Sequence, residues 1–248
     1  MSPVLVSAIV FACVFAGAIV GMYLRVPEQD VSAAANDVVK LGMGLLGTMS
    51  ALVLGLLIAS AKGSYDIQRN EFTQMAANAI FLDRILAHYG PETKEARDTL
   101  HQGVATIVAQ VWPEDRSQPR EFPQTTGAEA LFEKVQGLTP KTEAQRVLQA
   151  QALKIIIDLG QTRWLLFAQR SSSLPIAFLI VLVFWLVILF ASFGLFAAPN
   201  TTAIGALLVC ALSVAGAILL ILELDRPYGG LIEVSSEPLR NALSQLGR

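Results

Sequence analysis

Charge is scarce in this sequence. Asp, Glu, Lys and Arg make up 15% of its 248 residues, against about 25% in an ordinary globular domain. Apolar residues reach 54% and the mean hydropathy is +0.55. A soluble domain is excluded on composition, and a membrane protein is expected. Neither sign is in excess, with 18 Lys and Arg against 20 Asp and Glu, so nothing recommends a nucleic-acid partner. Cysteine is limited to Cys13 and Cys210, both inside apolar runs. A thiol there behaves as a small hydrophobe, which leaves no disulfide framework and no zinc site. His88 and His101 have no Cys or carboxylate cluster beside them and read as solvated, so no metal or other cofactor is expected.

The missing charges locate the membrane spans, because a Lys, Arg or Asp at a helix centre costs about 2.5 to 3.5 kcal/mol on the insertion scale. Met1 to Leu24 and Leu41 to Ala61 are each one span long, since about 20 residues cover the hydrocarbon core. The charge-free stretch from Ser171 to Leu222 is long enough for two. It divides at Ala198-Pro199-Asn200-Thr201, where a proline removes a backbone donor, giving spans at Leu174 to Ala198 and Thr202 to Leu222. The first span has no basic leader and a longer apolar run than a secretory signal, so it is read as a retained helix. Lys62, Arg69, Arg163, Arg170 and Arg226 fall on one side of the four spans, and Arg25 and Lys40 on the other. The positive-inside rule then places both termini and the region between spans two and three in the cytoplasm.

Between Lys62 and Arg170 the sequence changes character, with thirteen Lys or Arg and thirteen Asp or Glu spread without a like-charge block. Phe72, Met75, Ala79, Leu82, Leu86 and Tyr89 step by three and four, the seam of a helix packed on another helix. Nothing but Gly63 interrupts the pattern from span two, so one long helix is expected to run out of the membrane and end at Gly90-Pro91. A second helix from about Glu92 carries Ala96, Leu100, Val104, Ile107 and Val111 on one face. The proline-bearing stretch from Trp112 to Thr126 reads as a loop, and a short helix follows near Ala128 to Leu138. Thr139-Pro140 is expected to cap and open a last helix, with Leu148, Ile155, Leu159 and Leu166 on one stripe. After an interfacial turn, Ser235 and Ser236 cap a tail helix with Leu239, Ala242, Leu243 and Leu246 on one side. The fold expected is all-α: spans at 1–61 and 171–222, a helical cytoplasmic region at 62–170 and a cytoplasmic tail at 223–248.

Catalytic chemistry is as scarce as charge. Gly42-Met-Gly44-Leu-Leu-Gly47 has the letters of a dinucleotide fingerprint, but it opens a membrane span with no strand before it. No activated nucleophile, metal set or paired buried carboxylates appear, so the chain is not read as an enzyme. No ionisable residue lies in the core of any span, which counts against a proton-coupled transporter but not against a passive channel. At about 100° per residue, Gly44, Gly47, Thr48, Ala51, Gly55 and Ala59 share one face of span two, with Lys40 and Lys62 near its two ends. Leu45, Met49, Leu52, Val53 and Leu56 occupy the other side. Such a face serves either as a small-residue packing seam or as a narrow pore wall with a cation at each mouth, which favours anions. Glu223, Asp225 and Arg226 at the end of span four read as interfacial anchors, with a gating or ion-entry role as the alternative. Trp185, with Phe178, Ser192 and Phe196 on the same face, reads as a packing seam of span three, with an aromatic gate as the alternative.

Three stretches carry a family resemblance: Leu41 to Lys62, Leu82-Asp-Arg-Ile-Leu-Ala-His-Tyr-Gly-Pro91, and Leu222-Glu-Leu-Asp-Arg-Pro-Tyr-Gly-Gly230 through Arg240. Together they resemble a bacterial family called bestrophin-like, over essentially the whole chain. The resemblance implies a multi-pass inner-membrane protein related to bestrophin anion channels, which are pentamers with a pore lined by the second membrane helix. The function expected is therefore a homo-oligomeric channel for small inorganic anions, in contact with the lipid bilayer and with further copies of itself. The alternative is a non-conducting scaffold or sensor whose cytoplasmic helices bind a partner.

Overall fold

The protein is described from a computed structural model at residues 2–24, 33–113, 127–168, 176–197, 199–225, 230 and 232–247. Among these residues there are eight α-helices and no strand: α1 Pro3–Tyr23, α2 Ala33–Tyr89, α3 Lys94–Val111, α4 Ala128–Gln136, α5 Glu143–Ala168, α6 Ile176–Phe196, α7 Thr201–Leu224 and α8 Glu237–Gln245. Helices α1, α2, α6 and α7 are long and apolar enough to cross a membrane. Contacts divide the chain into two units, one of Met1–Ser64 with Ser172–Arg226 and one of Tyr65–Ser171 with Pro227–Arg248. The single helix α2, 57 residues long, contributes to both. It starts at Ala33, so Lys40 lies inside the helix rather than in a loop before it. The expected loop at 114–126 and the Ser171 to Ser173 linker lie outside the described residues.

In the first unit the ends of the spans are set by side chains that satisfy the orphan N–H groups of a first turn. Ser2 accepts from the Leu5 N–H at 3.3 Å ahead of Pro3, and Asn200 accepts from the Ala203 N–H at 2.7 Å ahead of α7. The Pro-Asn break thus separates the third and fourth spans as expected. The core of this unit joins Val10, Val14 and Ala18 of α1 to Leu182, Leu186 and Phe190 of α6 and to Ala211, Ile218 and Ile221 of α7, with Leu57 and Ala61 from α2. At the crossing of α1 and α6 the backbones touch. A Cβ on Gly21 would run into the Ala191 carbonyl, and one on Gly194 into the Ala18 carbonyl, while one on Gly17 would meet the Val187 carbonyl at 3.1 Å. Such close approach is the usual device of membrane helices, where lipid tails leave no hydrophobic driving force between spans. It also decides which face of α6 is inside. Leu182, Leu186, Leu189, Phe190 and Gly194 are buried, whereas Phe178 and Phe196 are exposed and Trp185 and Ser192 half-exposed. The Trp185 face is therefore not the packing seam within the chain, because the glycine contact turns it away. Ser7 buries its hydroxyl on α1 by donating to the Ala215 carbonyl of α7 at 2.7 Å.

The second unit has a core of ordinary soluble type. Phe72, Met75, Ala79, Leu82, Leu86 and Tyr89 of α2 are all buried, as are Ala96, Leu100, Val104, Ile107 and Val111 of α3. Each large aliphatic side chain so removed from water contributes about 1.5 to 3 kcal/mol. Gly90, at φ 138°, ends α2, and the 3-10 turn Pro91–Thr93 starts the return. The buried Thr93 hydroxyl lies 2.6 Å from the Leu86 carbonyl and 2.8 Å from that of Gly90, which ties the turn to the helix it leaves. Helix α5 begins at Glu143, not after Thr139-Pro140. Thr142 accepts from the Gln145 N–H at 3.2 Å, and the Gln145 side chain accepts from the Lys141 N–H at 2.8 Å. This reciprocal arrangement, close to a capping box, satisfies two orphan donors where Thr139 would satisfy one.

The tail is part of this core. Leu239, Ala242 and Leu246 are buried in it, with Leu243 packed at its edge. The segment ahead of α8 is strapped down by two side chains, the Trp112 indole N–H donating to the Val234 carbonyl at 2.8 Å and the Tyr65 hydroxyl to that of Glu233 at 3.3 Å. Of the two expected cap serines, Ser235 accepts from the Glu237 N–H at 3.2 Å, whereas Ser236 accepts from the Arg240 side chain.

Candidate functional site

Helix α2 within the first unit has three faces of different chemistry. Ser50, Leu57 and Ala61 are buried, with Val53 and Leu54 packed beside them. These residues share one side of the wheel, and they form the face that joins the helix to its own unit. About 100° per residue places Gly44, Thr48, Ala51, Gly55 and Ala59 roughly a third of a turn from that seam. All five are exposed. Leu45, Met49, Leu52 and Leu56 form the third face, and they are exposed as well. Gly47 stands between the first two faces: it is half-buried, and a Cβ there would touch Leu189 of α6 at 3.5 Å. A Cβ at Gly44 or Gly55 would meet nothing within 4 Å.

Within one chain, then, the small-residue face is not a packing seam. Its single hydroxyl, Thr48, donates to the Leu45 carbonyl at 2.8 Å and presents an oxygen lone pair outward. Lys40 and Lys62 are both exposed, and on the wheel both fall within about 50° of the centre of the small face. The geometry brings the sequence-predicted residues onto one surface, apart from the partial withdrawal of Gly47.

At the end of α7, Glu223 is 4% exposed and Asp225, half-buried, closes the helix, its N–H donating to the Ile221 carbonyl at 3.1 Å. Arg226, the third residue expected at this interface, lies outside the described residues. Among the described residues no three His, Cys, Asp or Glu side chains gather as metal ligands. His88 and His101 are exposed, with His88 Nδ1 2.7 Å from the Arg84 carbonyl.

Two features with no counterpart in the sequence reading hold the scaffold. One is the glycine crossing of α1 on α6. Its signal was present as Gly17-Ala-Ile-Val-Gly21, a small-xxx-small pair. The other is an ion pair in the second unit. Arg97 of α3 donates from Nε and from a terminal nitrogen to the two carboxylate oxygens of Asp83 on α2, at 2.7 and 2.9 Å. Asp83 is almost wholly buried, and the Gly247 N–H approaches the same carboxylate at 3.4 Å. The hydrogen bonds it donates to Asp83 hold the Arg97 guanidinium above its ordinary pKa, against the opposing effect of burial.

The sequence matches the Bestrophin-like domain over residues 10–239. Comparison with curated proteins finds no match. Among solved structures, a tryptophan-to-alanine mutant of a bacterial bestrophin homologue from Klebsiella pneumoniae superposes with a TM-score of 0.71 at 15% identity, over 100% of this chain and 99% of that one. A second mutant of that homologue gives 0.65 at 15% identity, over 94% and 92%. A crystal structure described as a membrane protein gives 0.68 at 13% identity, over 98% and 99%. At such identities the likeness is one of fold. The domain match spans nearly the whole sequence, and the chain belongs to the Bestrophin-like family.

Proposed function

We propose that the chain assembles as a homo-oligomer in the bacterial inner membrane and conducts small inorganic anions along a shared axis lined by Gly44, Gly47, Thr48, Ala51, Gly55 and Ala59. Lys40 and Lys62 stand at the two mouths, and both termini are cytoplasmic. Membership of a family named for bestrophins supports the class of function. The observation that carries the reading is the exposure of the Gly, Ala and Thr face of α2 beside a separate leucine-rich face. Large aliphatic side chains suit lipid, whereas small residues are concentrated where helices or a pore replace lipid. The first unit carries no ionisable residue in the middle of its spans, which favours passive conduction over coupled transport.

The test is ion flux into liposomes holding the purified protein, followed by reversal potentials under a salt gradient for wild type and Lys62→Glu. Several copies of Lys62 around an axis raise the local anion concentration, and salt screens their effect as the Debye length falls toward about 3 Å near 1 M. Lys62→Glu is expected to lower anion over cation permeability, most strongly at low salt. Identical reversal potentials in a conducting preparation remove Lys62 from the path, and absence of any flux overturns the channel reading.

A further inference from the structure

Helix α5 is fastened to its unit along one stripe and open along the opposite one. Ile155 and Leu166 are buried with Leu159 packed beside them, whereas Ile157, Trp164 and Leu165 are each about half exposed. At about 100° per residue, Ile157 and Trp164 stand roughly 160 to 180° from the centre of the buried stripe, so the burial of Leu166 turns the Trp164 ring outward. The two tryptophans of this unit are thus used differently. Trp112 packs edge-on against Phe72, with ring centres 4.9 Å apart, while Trp164 is 59% exposed. Charge around it has one sign. Between Asp158 and Glu223 the only charged residues in the sequence are Arg163 and Arg170, and the Arg163 Cζ lies 5.5 Å from the centre of the Trp164 ring. The chain also enters the membrane soon afterwards: α5 ends at Ala168 and the span α6 opens at Ile176. Even a fully extended chain covers those residues in at most about 29 Å.

We propose that the last turns of α5 rest on the bilayer, with Trp164 and Leu165 seated at head-group level and the charges of Arg163 and Arg170 drawing anionic phospholipid to them. Tryptophan settles at the membrane–water interface because its ring is apolar and its N–H is polar, and arginines beside a span are attracted to an anionic leaflet. Lipid suits the open face better than a second copy of the chain. A span begins within reach of it, and two cations without a carboxylate complement a negative surface but repel their own duplicates. The arginines act here through charge at the surface, which no vacant hydrogen-bond donor is needed to supply. Neither an oligomer nor an ion path is required for the contact.

The full chain is reconstituted in liposomes doped with phosphatidylglycerol or phosphatidylcholine carrying a nitroxide high on one acyl chain, just below the head groups, and tryptophan emission is compared between wild type and Trp164→Phe. The emission that Trp164→Phe removes is expected to be quenched by the shallow label. At low salt, labelled phosphatidylglycerol should reach the same quenching at about a fivefold lower mole fraction than labelled phosphatidylcholine, the scale of one arginine at an anionic surface. Arg163→Gln combined with Arg170→Gln should remove that preference. If the double variant fails to fold, wild type alone decides, because the preference should also disappear toward 1 M salt. Emission from Trp164 that neither label quenches in an intact oligomer would put another copy over this face and overturn the proposal. Equal quenching by the two lipids at low salt, or a preference that high salt leaves unchanged, overturns the anionic selection.

Discussion

Both units bury leucine, as Leu57, Leu182 and Leu186 do in the first, but they differ in what else they bury and in what they leave exposed. In the second, Leu82, Leu86, Leu100, Leu131 and Leu239 are buried, and they set the core. In the first, Leu45, Leu52, Leu56 and Leu212 lie exposed, while Ala18, Ala211, Ala215 and Gly194 are buried. Water rewards the burial of a leucine, whereas a lipid tail is as apolar as the side chain it touches. Contact area and backbone approach therefore take over in the spans, and small residues give both. The polar links differ as well. The second unit has a bidentate ion pair and side chains bonded to the tail, and the first buries Ser7 on a carbonyl of another span.

The sharpest way to break this contrast is Gly21→Val. The new side chain meets backbone, not a flexible side chain, so α1 and α6 must part. A loss of about 3 kcal/mol or more is expected, at the upper end for overpacking. It would be read as loss of monodisperse protein in detergent. The same change at Gly63, where nothing lies within 4 Å, should cost only a few tenths of a kcal/mol beyond helix propensity.

Next in size is Asp83→Asn in the second unit. It leaves Arg97 partly buried without its carboxylate, and a loss of about 2 to 3 kcal/mol follows, toward the low end for a buried pair because Arg97 keeps some solvent. Thermal unfolding checks it. Asp83→Leu combined with Arg97→Met should recover most of the loss, which would separate the cost of an unpaired charge from the worth of the pair.

The smallest effect belongs to Tyr89→Phe. The Tyr89 hydroxyl is buried with no partner among the described residues, so its removal should be neutral or stabilising by about 1 kcal/mol at most. Burial, followed by the nearby Glu92 carboxylate, pushes the Tyr89 pKa up, with Lys141 opposing. A raised folded-state pKa favours the neutral phenol, so the contribution is present below the unfolded value of about 10 and is lost as pH rises through the folded value. The stability advantage of Tyr89→Phe should therefore widen above about pH 10, and an unchanged difference there would contradict the assignment.

The sequence shows the spans and the long α2 because they rest on local patterns: charge-free runs, a three-four spacing from Phe72 to Tyr89, and the Gly90-Pro91 break. The small face of α2 is equally legible, since it needs only the helical period. What escaped is set by contacts between elements. Asp83 and Arg97 lie on either side of a turn, and their pairing depends on how α3 returns along α2. The choice of the α6 face depends on Gly21 and Gly194 meeting backbone, which outweighs the pull of Trp185 and its aromatic neighbours. Thr139-Pro140 lost to Thr142 because Gln145 adds a second hydrogen bond that the Thr-Pro pair cannot match.

The most direct measurement is chloride flux into liposomes by Gly55→Leu beside wild type, with the oligomeric state of each followed by size in detergent. Gly55 is exposed on the small face, and a side chain there meets nothing in its own chain. The expected result is an oligomer like that of wild type with flux abolished, since the leucine projects into the shared axis. Undiminished flux through an intact Gly55→Leu oligomer would contradict the pore assignment, and loss of the oligomer would make the same face a seam between copies.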